Sequence, residues 1–241
     1  MSVLRNKILR LGSLTLFLFI WTITAFAGVK WSQNFYSEVE PIKIKDPMAV
    51  VAGSTKPGEN VFEIGIDDVG MYTGHICPCV AGGYKLTELA LKNLYGTQIP
   101  ERGKIRVVAN ASSEPLEVVS YITGVRIFYG AEEDKSDLVV DKNLNGEKGD
   151  VIMIFQREDT NKAVKVTFHK HLLSSPEERG KCKILKKKIM EGKATQEEKE
   201  HFWKTKQGKV KKILLDSPEG LFEVEELKSF IFPGTKMREK K

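Results

Sequence analysis

His75, Cys77 and Cys79 alternate within "GHICPC" (Gly74 to Cys79), and these are two of only three cysteines in the 241-residue chain. Imidazole nitrogen and thiolate sulfur suit zinc, copper or iron. A thiol at a helix start ionises more easily than usual, because free backbone N–H groups and the helix dipole favour negative charge there. An ionised thiol is both a ligand and a nucleophile. The element therefore admits a metal centre, a thiol redox couple or strained Cys77–Cys79 disulfide, or a polar turn that packs its thiols as small hydrophobes. A metal site needs three or four ligands, so His-x-Cys-x-Cys must be completed from elsewhere in the fold.

Other residues invite weaker readings. His169 and His171 share the polar face of an alternating segment, where both rings reach one ion or simply face solvent. Asp67 and Asp68 stand before the motif, either to orient His75 or as turn chemistry. "DKNLNGEKGD" matches the first half of a calcium loop through Asp141, Asn143, Asn145 and Gly146. Its twelfth position is Ile152 rather than a bidentate glutamate, so a hairpin turn is the better reading. His201 lies beside Phe202 and Trp203 in a charged helix and reads as packing or surface. Cys182 joins or rims a packing stripe of Ile184, Leu185 and Ile189, which leaves the lysines from Lys181 to Lys212 as outer helix faces.

The elements that must position these groups follow from periodicity. Leu86, Leu89, Ala90 and Leu94 recur at helical spacing, predicting a helix over 78–95 with Pro78 in its first turn and Gly96 at its end. Gly82 and Gly83 cost that helix about 1 kcal/mol each, so close backbone or ligand packing is expected against them. "KIRVVANA", "DLVVD", "DVIMIFQRE" and "KAVKVTFHKH" read as strands. In the last, Val164, Val166 and Phe168 face one way and Lys165, Thr167, His169 and His171 the other. "SSEPLEVVSYITG" reads as a short helix with Ser113 as N-cap and Gly124 at its end. Two amphipathic helices follow, the second opened by a Thr195/Glu198 capping box. "GLFEVEEL" closes as a strand. The fold class is α+β: a mixed or antiparallel sheet packed with the long helix after the motif, then a C-terminal helical hairpin and a final strand.

Composition is that of a globular protein, 41% hydrophobic and 29% charged. Arg5, Lys7 and Arg10 precede a charge-free run over 11–27 that ends Ala25-Phe26-Ala27, the pattern of a secretory signal peptide. The run is at the short limit for an uncleaved membrane anchor, which is the alternative. The predicted organisation is a signal peptide or anchor over 1–27, an arm over 28–60, a core domain over 61–172, a helical hairpin and closing strand over 173–232, and a charged tail over 233–241. The three basic residues of the leader make up half of the net charge of +6. The remainder is too small for a nucleic-acid binder, and export argues against one as well. Export to the periplasm or beyond permits disulfides, but three cysteines are no disulfide scaffold.

"TGHICP" followed by "GGYKLTELALKNLYG" resembles the FmdE family of formylmethanofuran dehydrogenase proteins, whose signature is G-H-x-C-P-G with a following G-Y-[RK]. The likeness continues through "RVVANASSEPLEVVSYITGVRIFYG", "DVIMIFQREDTNKAVKVTF" and "DSPEGLFEVEEL", covering roughly residues 61–228. The resemblance implies a fold and a metal site, with His75 and Cys77 carried over as ligands. Departures are visible. Cys79 stands where the family usually has glycine. "NASSEPLE", with Ser112 and Ser113, stands where it usually has a cysteine. Val125 replaces a second cysteine and Thr73 a histidine, and no cysteine-rich zinc ribbon follows. Cys79 is then a substitute third ligand, or the centre has degenerated. Formylmethanofuran chemistry is cytoplasmic and archaeal and uses a tungsten- or molybdenum-bearing catalytic chain, so an exported protein is not expected to join it.

The reading is an exported protein that holds a transition metal, zinc by donor type, through His75, Cys77 and Cys79. The alternatives are a small-ligand or cofactor-binding module whose glycine-bearing helix start cradles an anion, and a metal-dependent enzyme of unknown substrate. A homodimer and a membrane association through the N-terminus stay open.

Overall fold

The computed structural model describes residues 29–110, 113–128 and 136–233. The segment read as a signal peptide and, beyond residue 233, the charged tail lie outside the described residues. The chain divides into two compact units, Met1–Ser32 and Gln33–Lys241, and every element named below belongs to the second.

Strands β1 (Ile42–Lys45) and β2 (Val61–Ile64) form an antiparallel pair, with Ile42 opposite Ile64. Helix α1 (Pro47–Val51) lies between them and is capped by the Asp46 carboxylate, which accepts from the Met48 N–H. The stretch over 28–60, read from sequence as an arm, thus supplies a strand to its neighbour. Helix α2 (Ile66–Thr73) follows β2 at once, with Gly65 between them as its N-cap. Asp68 Oδ2 accepts from the Gly65 N–H at 2.8 Å, so this acid caps α2. Helix α3 (Pro78–Tyr95) has the bounds its periodicity predicts, and Gly96 at its C-cap has φ 58°.

Strand β3 (Ile105–Ala109), helix α4 (Glu114–Thr123), and strands β4 (Leu138–Val140), β5 (Val151–Arg157) and β6 (Ala163–Phe168) follow. Helices α5 (Pro176–Met190) and α6 (Gln196–Lys211) come next, with a π-helical turn over Lys212–Asp216, and strand β7 (Phe222–Leu227) closes the sheet. Strand order is β4-β3-β5-β6-β7. Only the β3/β4 pair of this sheet is parallel, so the sheet is mixed and the class is α+β.

Helix α3 covers one face of this sheet, over Val107, Met153, Phe155, Val166 and Phe168, all with no exposed surface. On the opposite face Val108, Ile154 and Ala163 form a second cluster with Phe232, supported by Phe230 and Leu227. Cover on both faces explains why β5 reads as an unbroken apolar run rather than an alternation. Tyr84, fully buried in α3, places its hydroxyl 2.8 Å from the Glu40 carbonyl and 3.0 Å from that of Ile64, tying the β1/β2 pair to the helix.

The two glycines of α3 are positions of close approach. A Cβ at Gly82 would sit 2.3 Å from the Phe168 ring, and one at Gly83 would sit 2.8 Å from the Pro115 Cα and carbonyl oxygen. Phe168 is itself stacked on Phe222, with ring centroids 4.8 Å apart. Both glycines therefore serve protein packing, a close approach of the kind expected from sequence.

Two sequence expectations change. Strand β6 stops at Phe168, and His169 precedes a 3-10 turn over Lys170–Leu173, so the strand alternation does not extend to the histidines. Helix α5 buries no residue, and Ile184 is 71% exposed, so the expected stripe is reduced to the half-buried Cys182, Leu185 and Ile189. The capping boxes Thr195/Glu198 and Ser175/Glu178 open the two helices.

Gly83→Ala tests the close approach. Its gain in helix propensity is about 1 kcal/mol, whereas overpacking against backbone costs about 1–3 kcal/mol. The variant is expected to unfold at lower urea concentration than the native chain. Gly180→Ala in α5, where a Cβ meets nothing within 4 Å, is expected to unfold at higher concentration.

Candidate functional site

Cys77 is the N-cap of α3, in extended conformation (φ −113°, ψ 173°), with Pro78 as the first helical residue. Its sulfur accepts from the Cys79 N–H at 3.3 Å. Proline's lack of an N–H costs nothing at that position. The helix start thus fixes the Cys77 side chain by a backbone cap.

His75 sits in the turn between α2 and α3. Gly74 permits that turn, with φ 75° at the C-cap of α2. The His75 Nδ1 lies 3.1 Å from the Thr73 carbonyl oxygen. A carbonyl can only accept, so Nδ1 carries the proton of the neutral ring and Nε2 presents its lone pair.

The third donor is Glu114, the first residue of α4. Its Oε2 lies 3.3 Å from Cys77 Sγ and its Oε1 3.7 Å from His75 Nε2. A carboxylate is favoured at that position by the helix dipole. One donor atom each of His75, Cys77 and Glu114 falls within 4.8 Å of the others. Bonds of about 2.0–2.3 Å to a tetrahedral ion place neighbouring donors about 3.3–3.7 Å apart, the range of the two separations from Glu114, one from each carboxylate oxygen, to Cys77 Sγ and His75 Nε2. His75 and Glu114 are exposed, so an ion held here would be open to solvent.

The loop that carries the motif is pinned from a distance. Gln207 of α6 donates from Nε2 to the Ile76 carbonyl at 3.0 Å. Its Oε1 accepts from the Tyr36 hydroxyl at 2.7 Å. Burial pushes Tyr36 up to about 12, opposed by that hydrogen bond, so it remains a donor at neutral pH.

Cys79 has a partner outside this donor set in addition to its bond with Cys77. Its sulfur lies 3.0 Å from the Lys170 Nζ, in the turn after β6. The Cys79 thiol is drawn down to about 6, first by its hydrogen bond with Cys77 and then, against burial, by the Lys170 ammonium. The Cys77 thiol is pushed up by the same bond and by burial. All three cysteines are free thiols. Cys182 lies on α5 at the wall of a cavity described below.

A second donor set stands nearby. The Asp150 carboxylate, 2% exposed, lies 3.1 Å from His169 Nδ1 and 3.0 Å from His171 Nδ1. It also accepts from the Glu147 N–H at 3.1 Å. The far nitrogens face Glu223 at 3.6 Å and Glu147 at 3.1 Å. The histidines are thus not simply solvated, and the segment read as a hairpin turn instead joins β4 to β5, which do not pair with each other, and ends in the acid that joins the two rings. Asn110 sets that acid in place by donating to the Asp150 carbonyl and accepting from the Ile152 N–H. This set could also enclose an ion, but its buried carboxylate is already satisfied by two imidazoles and a backbone N–H.

Sequence reasoning passed over Glu114 and Asp150. Glu114 had one available signal: it lies in "NASSEPLE", the segment where the resemblance leads one to expect a cysteine. Asp150 had none, since its burial depends on how β5 pairs with β3 and β6.

Gln207→Ala should leave the thermal midpoint of the protein nearly unchanged while loosening the motif loop. Metal affinity, read by competition with a chromophoric chelator, is expected to fall about tenfold, as for other groups that orient ligands from behind.

A search of curated proteins finds no match, and neither does a search of solved structures. A family model described as "FmdE, Molybdenum formylmethanofuran dehydrogenase operon" matches residues 72–223, which span His75, Cys77, Glu114 and the large sheet as far as the start of β7. That match covers well over half of the chain's 241 residues, and the chain belongs to the FmdE family.

Proposed function

We propose that this chain is an exported metal-binding protein in which His75, Cys77 and Glu114 hold one transition-metal ion, zinc, with a fourth position open to a small molecule. The observation that carries the reading is the gathering of one donor atom each of His75, Cys77 and Glu114 within 4.8 Å of the others, around the starts of α3 and α4. One nitrogen, one sulfur and one oxygen form a borderline set that suits zinc. Cys79 was the third ligand expected from sequence. Its sulfur is engaged by Lys170, and Glu114 takes that role in the proposal.

Three protein ligands with an open position characterise zinc sites that act on a bound molecule, whereas closed sites of four are structural. A zinc ion here would supply Lewis acidity. The chain's own residues would hold it and fix the His75 tautomer, and the Lys170 charge would sit next to the centre. Export is supported by the basic leader and the charge-free run over 11–27. The periplasm is the compartment proposed.

Elemental analysis of protein loaded with zinc and dialysed should find one ion per chain. Cys77→Ala and Glu114→Gln are expected to lose it, and the double variant His169→Ala/His171→Ala to retain it. Retention in Cys77→Ala together with loss in the histidine double variant would transfer the site to Asp150 and overturn the assignment.

A further inference from the structure

A cavity of about 690 Å³ opens between α5, α6, the turn after β6 and the start of α3, with Pro78 in its wall. That volume lies in the range of small-molecule sites. Lys148 and Lys170 enter it from loops, and Arg179, Lys183 and Lys186 from α5. Lys206 and Lys209 enter from α6. Among the described residues, no carboxylate side chain lines it.

The pairing of these cations separates the cavity from an ordinary basic surface. On α5 the outward lysines are matched: Lys181 with Glu177 at 2.7 Å, Lys187 with Glu191 at 3.7 Å, and Lys188 with Glu198. Lys183 and Lys186, on the same helix but facing the cavity, have no carboxylate partner among the described residues. Arg179 donates to neutral groups, the His171 and Ser174 carbonyls, and Lys209 to the Ser174 hydroxyl. Lys170 meets the Cys79 sulfur, and Lys206 lies over the Phe202 ring. Like charges gathered around one concavity repel, and the acids of these helices are placed elsewhere. The lysine stems give the wall an apolar surface beneath the charged heads.

We propose that this cavity is a binding site for a small organic polyanion, a molecule that carries two or more phosphate or carboxylate groups. The anionic groups meet Lys183, Lys186, Lys206 and Lys209, and the body of the molecule lies on the lysine stems and Leu173. The site does not require the metal: its cations belong to α5, α6 and the loops, and none is a metal donor.

Isothermal titration of the full chain, stripped of metal, with inorganic tripolyphosphate and with citrate at physiological ionic strength tests this. Saturable binding of at least one of the two, at one site per chain, is expected, and the better binder assigns phosphate or carboxylate as the anionic group. Lys183→Glu/Lys186→Glu should weaken it at least about tenfold, since charge-assisted hydrogen bonds are both lost and opposed. Lys181→Glu/Lys187→Glu makes the same change in net charge on the outer face and should weaken it less than about threefold, as screened surface charges do. Lys183→Gln/Lys186→Gln, which adds no acid, guards against misfolding and should still weaken it. Equal loss in the inner and outer variants, no saturable binding of either anion, or preference for anionic lipid vesicles over both would overturn the proposal. Because the protein is metal-free, failure here leaves the metal reading standing, and the reverse also holds.

Discussion

The contact between Gly83 and the backbone of Pro115 is the constraint on which the site depends. A side chain at Gly83 would reach within 2.8 Å of that backbone, so only glycine lets the start of α4 settle against the first turns of α3. Cys77 caps one of these helices and Glu114 opens the other. Their 3.3 Å separation is therefore a consequence of helix packing rather than of loop conformation. Gly82 does the complementary work by letting Phe168 approach α3 from the sheet. Two adjacent glycines, each unfavourable by helix propensity, hold one helix between the sheet and a second helix.

Phe168 also connects this packing to the rest of the polar chemistry. The strand ends there, and the next three residues turn His169 and His171 toward the buried Asp150 and Lys170 toward Cys79. One short turn thus stands between a sulfur-bearing centre, a histidine–aspartate network and a cationic cavity. The network holds the turn through side-chain hydrogen bonds to an acid with almost no exposed surface. Fixing that turn fixes the position of the Lys170 charge beside the thiol. From the opposite side, Tyr36 and Gln207 anchor the backbone of the motif itself.

Much of this was legible in the sequence where local rules dominate. The bounds of α3, the Ser113-to-Gly124 helix and the Thr195/Glu198 box follow from spacing and capping residues alone. The cost of Gly82 and Gly83 correctly announced a close approach, but not that protein rather than ligand would fill it. What failed was non-local. Ile42–Lys45 looked like part of an arm because its partner strand lies across a helix and a loop. Ile184 looked like part of a packing stripe, yet α5 rests lightly enough on its neighbours to leave it exposed. The lysines of α5 read as one solvated face, although two of them turn inward to a cavity formed only when α5 and α6 stand side by side. Glu114 is separated from Cys77 by an intervening strand, and no periodicity links the two positions.

The donor set is the central claim, and X-ray absorption at the zinc edge of the loaded native protein reads it directly. The account predicts a first shell with a single sulfur at about 2.3 Å and nitrogen or oxygen donors at about 2.0–2.2 Å. Two sulfurs in that shell would mean that Cys79 leaves Lys170 to bind, and a shell of light atoms alone would mean that the ion sits with Asp150, His169 and His171; either result would contradict the assignment of His75, Cys77 and Glu114.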